Sequence, residues 1–132
     1  DKWTGWIESS GSDRQGLGRW SHVRLNGKNG RRVTIVTVCQ VYKQSVSTAG
    51  AKTAHMQQWN LLRRAGDTDP NPQKSFCNDL DAFLPPLQAA GDELHVMGDL
   101  NEHFGDNASG MNAVVAKFSL VDSVSCHHET DG

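Results

Sequence analysis

"RWSHVRLNGKNGRRVTIVTVCQVY", residues 19–42, decides the fold. Its first seven residues alternate. Trp20, His22 and Arg24 take one side, Ser21, Val23 and Leu25 the other, the period of a strand. "NGKNG" (26–30) holds two Asn-Gly pairs, a strong turn signal. "RRVTIVTVCQVY" (31–42) is rich in β-branched residues and partly alternating. The two runs predict a β-hairpin whose second strand is central and runs to Tyr42, with His22 pointing outward from an edge-type strand. Upstream, residues 1–18 are rich in Gly, Ser and charge and read as irregular.

Downstream, 43–52 is loop. "TAHMQQWNLLRRAG" (53–66) places Met56, Trp59 and Leu62 at helical spacing, with Thr53 as the cap and Arg63, Arg64 and Gly66 at the end. His55 is assigned to the solvated face of that helix. A second helix starts near Pro72, a residue suited to a first turn. Its apolar set is Phe76, Leu80, Phe83, Leu84 and Leu87, and Pro85-Pro86 should end or kink it. "ELHVMGD" (93–99) reads as a short buried strand. "MNAVVAKFSL" reads as a helix passing into a strand near Leu120–Val124. The order β-β-α-α-β-loop-α-β predicts an α/β fold, a mixed sheet with helices packed on it.

The chain has 132 residues, 36% hydrophobic and 21% charged, which fits one globular domain spanning 1–132. Its net charge of −2 excludes a global basic field of the kind that marks nucleic-acid binders. No apolar run approaches a membrane span, so a soluble protein with no membrane partner is expected. The three cysteines, Cys39, Cys77 and Cys126, form no CxxC pair. Free thiols are the default, and a metal site at Cys126, His127 and His128 is disfavoured by their adjacency.

"HVMGDLNEHFG" (95–105) carries the chemistry. An apolar run ends on Gly98, and Asp99 and Asn101 follow two residues apart. Open sheets place ligand chemistry just beyond strand ends. A carboxylate and an amide on one face suit a phosphate and a divalent ion, since Mg²⁺ prefers oxygen ligands. Asp, Asn and Gly also dominate ordinary turns, so the spacing admits both readings.

With a helix containing "DLDAFL" before it, this stretch resembles the GDxN segment of the endonuclease/exonuclease/phosphatase superfamily. That family includes apurinic endonucleases, pancreatic deoxyribonuclease and the endonuclease domains of non-LTR retrotransposons. "GRWSHVRLNGKNGRRVTIVTVCQVYK" resembles the family's central hairpin, whose second strand ends on a tyrosine near the active site, here Tyr42. The resemblance spans residues 18–124 and ends on "FSLVD". It implies a partial four-layer α/β sandwich, phosphoester cleavage with Mg²⁺ or Mn²⁺, and DNA as partner. A reverse transcriptase fused in the parent protein is a further expectation, as is an intracellular location, the nucleus included. In that likeness Asp99 orients or activates water or lies close to the metal. Asn101 holds a phosphate oxygen and stands with Asp99 in the metal set. Tyr42 hydrogen-bonds the scissile phosphate.

The departures are as informative. The family also uses an Asn and a Glu from early strands, and a late Asp with a terminal Asp-His pair. Glu8 lies in "WIESSGS" rather than on an apolar strand, and "HHETDG" carries no such ending. The expectation is an internal fragment with both catalytic ends removed, inactive as an isolated chain. The alternatives are a catalytically dead remnant or interaction domain, or a phosphatase of the same superfamily. Glu102 and His103 are read as loop residues beside the motif. Lys28, Arg31 and Arg32 form a small basic cluster at the hairpin tip.

Overall fold

The computed structural model describes residues 4–102 and 110–122. A 3-10 turn at Thr4–Trp6 leads into strands β1 (Ile7–Ser12), β2 (Trp20–Asn26) and β3 (Arg32–Cys39). Helices α1 (Ala54–Arg64) and α2 (Pro72–Ala89), strand β4 (Glu93–Asp99) and helix α3 (Met111–Lys117) follow. The strands form one mixed sheet in the order β1-β2-β3-β4. β1, β2 and β3 are antiparallel neighbours, and β4 lies parallel to β3.

The hairpin tip obeys its sequence. Gly27 N–H donates to Arg31 O at 2.7 Å, and Asn29 and Gly30 take φ of 59° and 74°. Asn and Gly tolerate that left-handed region best. The register places Trp20, Val38 and Gly98 abreast, then His22, Val36 and Val96, then Arg24, Thr34 and Leu94. This even-numbered face meets Phe76, Cys77, Leu80 and Leu84 of α2 and Met111 and Val114 of α3, with Phe118 just beyond. Each fully buried Leu or Phe contributes about 1.5–3 kcal/mol. The odd-numbered face (Ser21, Val23, Leu25, Val33, Ile35, Thr37, Met97) has no buried residue.

α1 and α2 start where expected. Thr53 Oγ1 accepts the Met56 N–H at 3.3 Å, and Asn71 Oδ1 accepts the Lys74 N–H at 3.0 Å with Pro72 in the first turn. Arg19, 1% exposed, ties the β1–β2 connection to α2. Its Nε donates to Asp13 Oδ2 at 2.6 Å and its Nη1 to Ser75 Oγ at 2.9 Å, and Asp79 accepts a further bond.

Several expectations are corrected. Residues 7–12 are a strand, not irregular chain. All six are exposed and held by backbone pairing, which leaves no apolar alternation to read. β1 makes β2 an inner strand, and His22 faces inward, 4.8 Å from the Phe83 ring centroid and 6.0 Å from Trp20. β3 ends at Cys39, so Tyr42 lies beyond the strand. His55 is buried with Gln58 and Leu62 on α1, not solvated. α2 continues through Pro85 and Pro86 to Ala89. Each internal proline forfeits a backbone bond. Burial of Leu84 and a bond from Gln88 Nε2 to Phe118 O at 3.3 Å hold the last turn in place. After α3, residues Leu120–Asp122 form no strand. Val124, His103 and the Cys126–His127–His128 group lie outside the described residues.

Candidate functional site

β3 and β4 run in parallel, so their C-terminal ends emerge side by side, with Cys39 abreast of Asp99. Gly98 makes the junction. Its φ is 142°, and a Cβ there would lie 1.9 Å from Val38 O. Only glycine allows that approach. Beyond it, Gln40 N–H donates to Asp99 O at 2.8 Å. Asn101 Nδ2 donates to Gln40 O at 2.7 Å, and Asn101 N–H donates to Asp99 Oδ1 at 2.9 Å. Asn101 holds φ 45°, a conformation that asparagine accepts readily. The GDLN segment is therefore an Asx turn clamped to the exit of β3.

The turn leaves capacity for chemistry. Asp99 is exposed, and one of its oxygens takes a single backbone N–H. Asn101 uses one of its two Nδ2 hydrogens on Gln40, which leaves a second donor and an Oδ1 acceptor. Tyr42 is 67% exposed, two residues past Gln40. The structure thus joins Asp99 to Asn101 directly, and brings the chain leading to Tyr42 to the same strand ends.

A cleft of about 780 Å³ opens beside the turn. Gln40, Lys43, Lys74, Cys77, Asn101 and Glu102 line it, while Asp99 and Tyr42 do not. Gln40 is 3% exposed, and its Oε1 has no hydrogen-bond partner. Glu102 Oε2 accepts the Met111 N–H at 3.0 Å at the start of α3, and its Oε1 has no partner. Burial, then the charges of Glu102 and Asp81, push the Cys77 thiol up to about 11. Cys77 is thus protonated at neutral pH and is no nucleophile. The motif reading missed Gln40 and Lys43 and took Glu102 for a loop residue. No local pattern marks them, because the contacts of Gln40 cross some sixty positions of chain.

Among the described residues, no group of three or more His, Cys, Asp or Glu side chains could hold a metal. Asp99 and Asn101 offer oxygen donors of the kind Mg²⁺ prefers, but only one carboxylate between them. Glu8 cannot add a second. It pairs with Arg24 at 3.5 Å and Arg32 at 3.9 Å, at the sheet end where Ile7 and Leu25 align with Val33 and Glu93. Six residues of strand, about 20 Å, separate that end from Asp99. No helix among the described residues is long and apolar enough to cross a membrane.

Compared with protein-family models, curated proteins and solved structures, the chain matches none.

Proposed function

We propose that the GDLN turn is part of a phosphodiesterase site that acts on nucleic acid, DNA first, with a divalent cation. The observation that supports this most is the pairing of an exposed carboxylate with a fixed amide at the ends of a parallel strand pair. That is where open α/β sheets hold ligands. In this reading Asp99 accepts a hydrogen bond from the attacking water and sets its approach. Asn101 donates its second amide hydrogen to a phosphoryl oxygen, and Tyr42 donates its hydroxyl to the same phosphate. The contribution is positioning and charge stabilisation. Bound Mg²⁺ or Mn²⁺, completed by substrate oxygens, would neutralise charge on the phosphate. In the four-layer sandwich that this reading entails, a second sheet covers the odd-numbered face. With one carboxylate among the described site residues, turnover by the chain as it stands is slow or nil.

The Asx turn favours a second reading, a catalytically dead remnant or interaction domain. The same bonds of Asp99 and Asn101 shape the turn whether or not chemistry occurs there. Manganese titration followed by NMR separates the two. Paramagnetic broadening centred on the amides of Gln40, Asp99 and Asn101, and lost in Asp99→Asn, supports the phosphodiesterase site. Broadening confined to the Glu8 and Glu93 end of the sheet, or unchanged in Asp99→Asn, contradicts it. A phosphatase of the same superfamily would show the same broadening but hydrolyse phosphomonoesters rather than nick DNA.

A further inference from the structure

The cleft beside the turn contains two acceptors without donors, the Oε1 atoms of Gln40 and Glu102. An acceptor buried without a partner carries a real cost, larger still when it is charged. Both belong to residues that also have a backbone task. Gln40 clamps the turn, and Glu102 receives the first N–H of α3. Their free oxygens are therefore held in fixed positions, awaiting donors from outside the chain.

The lining restricts what can supply those donors. A bare cation would meet the ammonium groups of Lys43 and Lys74 in the same cleft. A bare anion would meet the Glu102 carboxylate. A ligand that satisfies both has neutral N–H donors on one part and negative charge on another. A nucleotide has this composition: the base edge carries the donors, the phosphate the charge. We propose that this cleft is a nucleotide subsite, with the base on Gln40 and Glu102 and the phosphate on Lys43 and Lys74. Guanine fits best, because its N1–H and exocyclic amine are adjacent donors that can serve two acceptors. The volume, about 780 Å³, lies in the range of small-molecule sites. Asn101 belongs to both the cleft and the turn. The subsite therefore holds the nucleotide next to the scissile phosphate, a role that rests on the phosphodiesterase reading.

The test is calorimetric titration with guanosine 5′-monophosphate in EDTA, beside adenosine 5′-monophosphate, guanosine and inorganic phosphate. Guanosine monophosphate should bind at least about tenfold more tightly than its adenine counterpart, the discrimination one good paired base contact supplies. Glu102→Gln keeps an oxygen for the Met111 N–H but can replace the free acceptor with a donor, and should abolish that preference. Lys43→Ala with Lys74→Ala should weaken the monophosphate and leave guanosine unchanged. Asp99→Asn should bind as the parent does. Guanosine monophosphate binding no tighter than inorganic phosphate overturns the subsite, as does a preference that survives Glu102→Gln. If the preference holds while Asp99→Asn leaves manganese broadening unchanged, the subsite stands and the phosphodiesterase reading falls. If broadening and nicking depend on Asp99 and no guanine preference is found, the subsite alone falls.

Discussion

Asp92 and Asp99 bracket the same strand and are built for opposite purposes. Asp92 is buried. Its carboxylate takes Nε and Nη2 of Arg24, both at 2.6 Å, and the Thr34 hydroxyl at 2.7 Å. Those bonds, first among them the ones from Arg24, hold its pKa below the usual carboxylate value despite burial. Asp99 is exposed and accepts one backbone N–H. One carboxylate is consumed by structure, while the other keeps most of its lone pairs for something outside the chain. The lesson is that the acidic residue with the most partners is here the least suited to chemistry.

The contrast can be broken at either end. The largest effect is expected at Gly98, where any Cβ strikes Val38 O and φ is 142°. Gly98→Ala should cost about 4 kcal/mol, above the range for backbone strain alone because the β3–β4 spacing must open as well. Urea midpoints would measure it, and a cost under about 1 kcal/mol would show that the close approach is not needed. Asp92→Ala should come next at about 3 kcal/mol, since it strands Arg24 and Thr34 together.

Acid should dissect the same network. Burial lowers the pKa of His22 and His55 from 6.5. The folded state resists their protonation, so their contribution is intact above pH 6.5 and declines as pH falls below it. Asp92 is lowered from 3.8, so its contribution is intact above that value and is lost as pH falls further. Stability against pH should therefore fall in two stages, and Asp92→Asn should flatten the lower one. A single fall confined below pH 4 would contradict the burial of the two histidines. The smallest effect belongs to Asp99→Asn. The amide still offers an oxygen to Asn101 N–H, so stability should change by less than about 0.5 kcal/mol.

Much of this architecture is legible before any coordinates. Asn29-Gly30, Thr53 and Pro72 state their roles locally, and the β-branched run of β3 announces a central strand. What escapes is whatever tertiary context decides. "IESSGS" pairs through its backbone, so its side chains carry no signal. Pro85 and Pro86 stay inside α2 because Leu84 and Gln88 are anchored elsewhere. His22 and His55 are polar residues on inward faces, where pattern reading sends them to solvent. At the site, the Asp-x-Asn spacing marked Asp99 and Asn101. It could not show Gln40, whose backbone clamps the turn, or the cap that Glu102 provides for α3.

The central claim is that Asp99 is free for phosphoester chemistry while being dispensable for the fold. Nicking of supercoiled plasmid with Mg²⁺ or Mn²⁺, at high protein concentration and with an EDTA control, tests it most directly in the parent chain and in Asp99→Asn. The account predicts slow, metal-dependent nicking by the parent and at least about a hundredfold less by Asp99→Asn, at unchanged melting temperature. Nicking that persists undiminished in Asp99→Asn, or a parent chain that never nicks DNA at any metal concentration, would contradict it.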